Sequence, residues 1–220
     1  MFISYETVKS NAAIHAYIRK ADESLIALGF TEHSFAHVTR VAETAAMILE
    51  ALGASHEEIE MVRIAGYLHD IGNVVNRVEH AQSGAIMAFR LLDNMGADPE
   101  QIATIITAIG NHDESTAFPV NAVAAALILA DKTDVRSSRV RNKDIATFDI
   151  HDRVNFAVTK SAVSVHMEEK EIHLKLHIDT TISSVGDYFE IFLARMILCR
   201  KAAEKLGLKF VLRINGQRLM

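Results

Sequence analysis

Tyr67-Leu68-His69-Asp70-Ile71-Gly72-Asn73 carries two metal-competent side chains at the close of an apolar segment, and the 220-residue chain is read outward from it. A neutral imidazole and a carboxylate are ligand types that borderline and hard divalent ions accept. Upstream, Ser55 is an N-cap with Glu57 and Glu58 in the first turn, where acidic groups suit the helix dipole. Ile59, Val62, Ile64, Ala65 and Leu68 then follow at helical spacing and deliver His69 and Asp70 at the helix end. Gly72 is expected to be the left-handed residue that stops this helix, which places the pair on a rigid last turn. Adjacent His and Asp are common by chance, so the weight rests on what accompanies them.

Towards the N-terminus, Val8, Ala12, Ile14, Ile18, Leu25 and Leu28 predict one bent helix over residues 4–28, ended by Gly29. A second helix, about 34–52, carries His37 in its first turns, with Arg40 three residues on and sharing its face. Beyond the central stretch, His80 opens a helix through Ile86, Phe89 and Leu92. Asp98-Pro99-Glu100 caps another, which presents Asn111-His112-Asp113-Glu114 at its end. Pro119 starts the most apolar segment, expected as a buried central helix running into Asp131-Lys132-Thr133-Asp134. A charge cluster attached to a buried helix needs a partner. Lys132, Arg136 and Arg139 fall at i, i+4 and i+7, a basic stripe beside Asp131.

Past Asp149 the pattern changes. A short helix through Val154 and Val158 precedes an alternating hairpin, Val163 to Met167 and Ile172 to Ile178. A helix from Ser184 to Leu206 and a last strand, Leu208 to Ile214, ending at Asn215-Gly216, complete a β-β-α-β order. The fold class is therefore mainly α: a helical bundle over residues 1–148, with a small C-terminal β-β-α-β module over 149–220 packed directly on it.

Half the residues are hydrophobic, enough for a sizeable core, and the net charge of −5 argues against a polymeric nucleic-acid partner. The longest apolar run, Ala122 to Ala130, is about half of a bilayer span, and Met1 to Lys20 holds no signal-type core. A cytoplasmic protein with no membrane partner is expected. Cys199 stands alone, so no intrachain disulfide forms, and it is expected as a buried thiol.

His37, His69, Asp70, His80, His112 and Asp131 all stand at or near helix ends, on different helices apart from the adjacent pair. Metal sites in bundles are built by side chains from facing helices. His37, His69, Asp70 and Asp131 suffice for one ion. His80 and His112 add nitrogen for a second, with Asp70 the natural bridge because a carboxylate has two oxygens.

The order His, His-Asp, distant Asp resembles the HD-domain superfamily of metal-dependent phosphohydrolases, over roughly residues 30 to 145. Phe35-Ala36-His37-Val38-Thr39-Arg40, Leu68-His69-Asp70-Ile71-Gly72 and Leu129-Ala130-Asp131-Lys132 are similar to its successive motifs. His80 and His112 resemble the extra ligands of its binuclear subgroup. The tandem His-His and Gly-Tyr-Pro motifs of the cyclic-di-GMP phosphodiesterase branch are absent, and the β-β-α-β tail has no counterpart in the minimal domain.

The resemblance implies one or two divalent ions (iron, manganese, zinc, magnesium or cobalt) and hydrolysis of a phosphomonoester or phosphodiester, a nucleotide above all, by metal-bound hydroxide. Lys132, Arg136, Arg139 and Arg40 would then hold phosphate oxygens. Asp70 would bridge the ions, and Asp134 or Asp113 would serve as general base or as partner to a ligand histidine. The other seven histidines, His33 and His151 among them, are assigned no function. Two further possibilities stand beside this one: a diiron oxygenase of the same fold, and a non-catalytic nucleotide-binding regulatory module. Open sheet edges in the tail favour a homodimer; alternatively the tail closes over the metal site and selects substrate.

Overall fold

The structure, a computed structural model, describes residues 1–220. Helices α1 (Tyr5–Lys9) and α2 (Ala12–Ala27) replace the single bent helix expected at the N-terminus. Asn11 separates them, because its side-chain oxygen accepts from the backbone N–H groups of Ala13 and Ile14 and so starts a new helix. Then follow α3 (Phe35–Ala51), α4 (His56–Leu68), a 3-10 turn over Ile71–Val74, α5 (His80–Asn94), α6 (Pro99–Gly110) and α7 (Ala122–Lys132). Ser55 and Glu58 form a reciprocal capping box at the start of α4, as the acidic first turn suggests.

The body is a set of antiparallel helix pairs around α7, whose residues from Val123 to Ala130 are all buried. Its start differs from expectation. Asn121 caps it by accepting from Ala124, so Pro119 lies two residues outside the helix. Close approach of α4 to α3 depends on Gly66, where a Cβ would stand 2.7 Å from the Ala42 Cα.

The C-terminal part follows the order α8 (Ile150–Ala157), β1 (Val158–His166), β2 (Glu171–Ile178), α9 (Val185–Lys205), β3 (Lys209–Ile214) and β4 (Gln217–Arg218). The sheet order is β1-β2-β3-β4, with β2 and β3 parallel and the outer pairs antiparallel. Val158 opens β1 rather than closing α8. Asn215-Gly216 does not end the sheet: both residues take positive φ and turn the chain back into β4, a two-residue hairpin too short to show as an alternating pattern.

One apolar cluster runs without interruption through both parts, from Ile3 on the N-terminal side through α7 to Phe192 on α9 and Leu212 on β3. The Ser161 hydroxyl on β1 donates to the Thr133 carbonyl just past α7, a polar tie across the same junction. Cys199 is buried on α9, and burial pushes its thiol up. No helix is long and apolar enough to cross a membrane.

Candidate metal centre

Five helix ends or flanks bring six side chains to one point. His37 comes from the first turn of α3, His69 and Asp70 from the end of α4, and His80 from the first position of α5. His112 lies two residues past α6, and Asp131 in the last turn of α7. Asp70 turns its two oxygens to different neighbours. Oδ2 lies 3.6 Å from His37 Nε2 and 3.2 Å from His69 Nε2, while Oδ1 lies 3.5 Å from His80 Nε2. Asp131 Oδ1 is 3.4 Å from His37 Nε2 and 3.7 Å from His69 Nε2. His80 and His112 bring their Nε2 atoms within 3.2 Å. Three sets of ligand atoms converge within 4.8 Å: His37, His69 and Asp70; His69, His112 and Asp131; Asp70, His80 and His112.

The far side of each ring fixes its tautomer. Nδ1–H of His37 donates to Asp134 Oδ2 at 2.8 Å, that of His69 to the Gly66 carbonyl at 2.8 Å, that of His80 to the Arg77 carbonyl at 3.0 Å and that of His112 to the Ile109 carbonyl at 2.6 Å. These partners only accept, so Nε2 is in every case the atom free to hold a proton or a metal. His37 Nε2, His69 Nε2 and Asp70 Oδ2 are buried without any hydrogen-bond partner. Orphaned buried atoms are rare, and three facing one another are a set that a bound cation would satisfy. A mixed set of imidazole nitrogens and carboxylate oxygens fits a divalent transition metal or magnesium.

Electrostatics bears this out unevenly around the ring. Burial opposes a charge on His69, but Asp70 and Asp131 outweigh it and raise the group to about 10. Metal and proton therefore compete for one lone pair there. Burial pushes His112 down to about 3, helped by His69 and Lys132, and pushes His80 down as well, so both present neutral nitrogen.

The carboxylates are oriented too. Asn73 Nδ2 donates to Asp70 Oδ1 at 2.9 Å, and Lys132 Nζ holds Asp131 Oδ2 at 2.6 Å. Gly72 differs from expectation. It has no positive φ and sits inside the 3-10 turn, where a Cβ would come within 2.0 Å of the His80 carbonyl oxygen. Its service is to let the turn after His69-Asp70 press against the start of α5.

The basic stripe does not exist as a helix face, because α7 ends at Lys132. Arg136 and Arg40 lie away from the metal side: Arg136 Nε donates to Asp134 Oδ1 at 2.9 Å and Arg40 Nε lies 3.1 Å from the same atom. Asp134 is thus held among His37, Arg136 and Arg40, and its Oδ2 orients the His37 ring. Asp113 Oδ1 stands 3.9 Å from His80 Nε2, and Asp113 accepts from the Ser115 hydroxyl. Arg139 is buried, with Nε on the Glu32 carbonyl (2.9 Å), Nη1 on the Asp134 carbonyl (2.8 Å) and Nη2 unbonded.

A cavity of about 230 Å³ opens above the cluster, with Asp70, His80, His112, Asp131, Lys132 and Arg139 in its lining. Several of its residues escape a reading of the sequence. His33 lies against His37, ring centroids 5.4 Å apart, and reaches the cavity with Arg77; its i, i+4 spacing to His37 was the available signal. Arg77 stands over the Phe30 ring at 5.4 Å. From α9, Arg195 pairs with Glu114 Oε1 at 2.5 Å and covers the Phe192 ring at 4.7 Å. A charge on the otherwise apolar inward stripe of α9 was the hint. From α8 come His151, Asp152 and Asn155, with Asp149 as its cap.

Among proteins of known sequence, the uncharacterized protein MJ1020 of Methanocaldococcus jannaschii is 24% identical over 212 residues, taking in 85% of this chain and 79% of the relative. The crystal structure of a predicted HD superfamily hydrolase from an uncultured Thermotogales bacterium is 28% identical. It covers 57% of this chain and 68% of its own, with a TM-score of 0.45. The family model described as the HD domain matches residues 34–147, more than half of the chain. All six converging ligands fall inside that span, and the chain belongs to the HD-domain family.

Proposed function

We propose that the protein hydrolyses a small phosphate ester, a nucleotide, at the six-ligand centre. The observation that carries this is the opposition of Asp70's two oxygens to different histidines, beneath a cavity lined by Arg77, Lys132, Arg139 and Arg195. A divalent ion bound there supplies Lewis acidity and lowers the pKa of water towards neutrality. The chain's own residues do the rest. His37, His69, Asp70 and Asp131 form the first ligand set, and Asp70, His80 and His112 the second, so Asp70 is the shared residue. Arg139, anchored by two backbone carbonyls, offers Nη2 to a phosphate oxygen at no further cost in side-chain entropy. Lys132 keeps Asp131 ionised and aligned.

In this reading residues 149–220 form a substrate-selecting module, since α8 and α9 wall the cavity. The unpaired long side of β1, which bonds only to β2, is the edge at which a second copy would add to make a homodimer. Static light scattering at micromolar concentration tests that assembly, with a monomer mass against it. The activity is tested by assaying purified protein loaded with each of several divalent metals against a panel of nucleotides. Release of phosphate that disappears in Asp70→Ala is the expected result. No release with any metal overturns the reading, and iron as the dominant bound metal with oxygen consumption would redirect it to oxidation.

A further inference from the structure

The wall contributed by α8 has a chemistry opposite to the cationic side of the cavity. Asp152 and Asn155 stand three residues apart on one face of α8, Asp149 caps its start, and all three line the cavity. Asn155 is 6% exposed; its Nδ2 donates to the His151 carbonyl at 2.9 Å, and its Oδ1 has no partner within the chain. Asp149 Oδ1 is taken up by the Asp152 N–H and Asp152 Oδ2 by Asn142 Nδ2, which leaves the other oxygen of each free. The wall therefore presents three acceptors, with His151 and the second N–H of Asn155 Nδ2 as its donors. Acceptors that line a cavity bind the donors of what enters it.

We infer that the group carrying the phosphate is rich in hydroxyls, a ribose in preference to a 2′-deoxyribose, and that Asp149, Asp152 and Asn155 read those hydroxyls. A cationic carrier meets Arg77, Arg139 and Arg195 in the same cavity, besides the bound metal, so neutral donors are favoured over amines. A lipid carrier is disfavoured because Leu28, Phe30 and Phe192 are the hydrophobic members of the lining. One free oxygen on each of Asp149 and Asp152, with Asn155 Oδ1, gives vicinal hydroxyls separate acceptors. All three reading residues lie past residue 147, beyond the span that matches the HD-domain family. The inference rests on the proposed hydrolysis only for the phosphate that anchors the substrate.

The test compares uridine and adenosine monophosphates with their 2′-deoxy counterparts in the metal-loaded protein, by kcat/KM and, independently of turnover, by calorimetric binding. A preference of about tenfold for the ribose esters with both bases is expected, the scale of one or two neutral hydrogen bonds. Asn155→Ala and the near-isosteric Asp152→Asn bring that ratio towards one by raising KM for the ribose esters. Equal handling of ribose and deoxyribose by the wild-type protein overturns the inference, as does a preference that follows the adenine amino group instead of the sugar. Turnover without sugar discrimination leaves the hydrolase reading standing and removes this one. A tenfold binding ratio without turnover does the reverse.

Discussion

The floor of the cavity and its wall are held in place by different means. On the floor, each ligand is held from behind by a buried or half-buried partner: a carbonyl of its own turn for His69, His80 and His112, Asp134 for His37, Asn73 for Asp70 and Lys132 for Asp131. On the wall, Arg195 rests on a partly exposed ion pair to Glu114 and on the Phe192 ring, and the free oxygens of Asp149 and Asp152 point at open space. Preorganisation is concentrated where a metal demands fixed distances, and adaptability where a substrate has to enter and leave.

The contrast breaks most severely at Asp70. Asp70→Ala removes the carboxylate whose two oxygens face different histidines, and should cost metal binding and activity by roughly 10³-fold or more. Metal content by inductively coupled plasma mass spectrometry together with phosphate release measures this; full occupancy with full activity would show that the sets are independent. Next in size is Asp134→Asn. It loosens His37, leaves Arg40 without its carboxylate and leaves Arg136 with Glu32 alone, so metal affinity should fall by about 10- to 100-fold, read by titration against a chelator, while the cavity wall stays intact.

Acidity gives a smaller and graded effect. His69 sits at about 10 in the metal-free chain, and an ion can bind its Nε2 only after that proton leaves. Affinity should therefore rise with pH below that value, by up to about tenfold per unit, and one proton per site should be released on loading. A flat profile between pH 6 and 8 would mean that His69 is not a ligand. The mildest change is expected on the wall: Arg195→Ala should raise KM by roughly fivefold to tenfold with kcat little altered and metal content unchanged. A collapse of metal binding in that variant would erase the distinction between floor and wall.

The floor was legible because its ligands stand at helix boundaries that announce themselves. Ser55 with Glu58 marks where α4 begins, Asp98-Pro99 marks α6, and the length of each apolar run then places His69 and His112 at the ends. What misled were positions whose conformation is decided by distant neighbours. Gly72 looks like a helix terminator but is demanded by the carbonyl of His80, eight residues on. Lys132, Arg136 and Arg139 share a face only if the helix continues, and α7 stops at the first of them. The wall stayed hidden for the same reason. Arg195 is 64 residues from Asp131, and no local pattern states that α9 will cross above α7. His33 was assigned no function on composition alone, although it lies beside His37 in space.

The parallel pairing of β2 with β3 sets an order of assembly. The helix pairs α3–α4 and α5–α6 are each joined by a short connection and can form early, carrying five of the six candidate ligands with them. Parallel strands cannot be joined by a tight turn; α9 has to pass over the sheet before β3 can register Phe210 against Ile172. Arg195 is seated only by that late, non-local event. Metal added to a refolding chain should therefore register in its binding signal ahead of any recovery of the substrate selectivity proposed above.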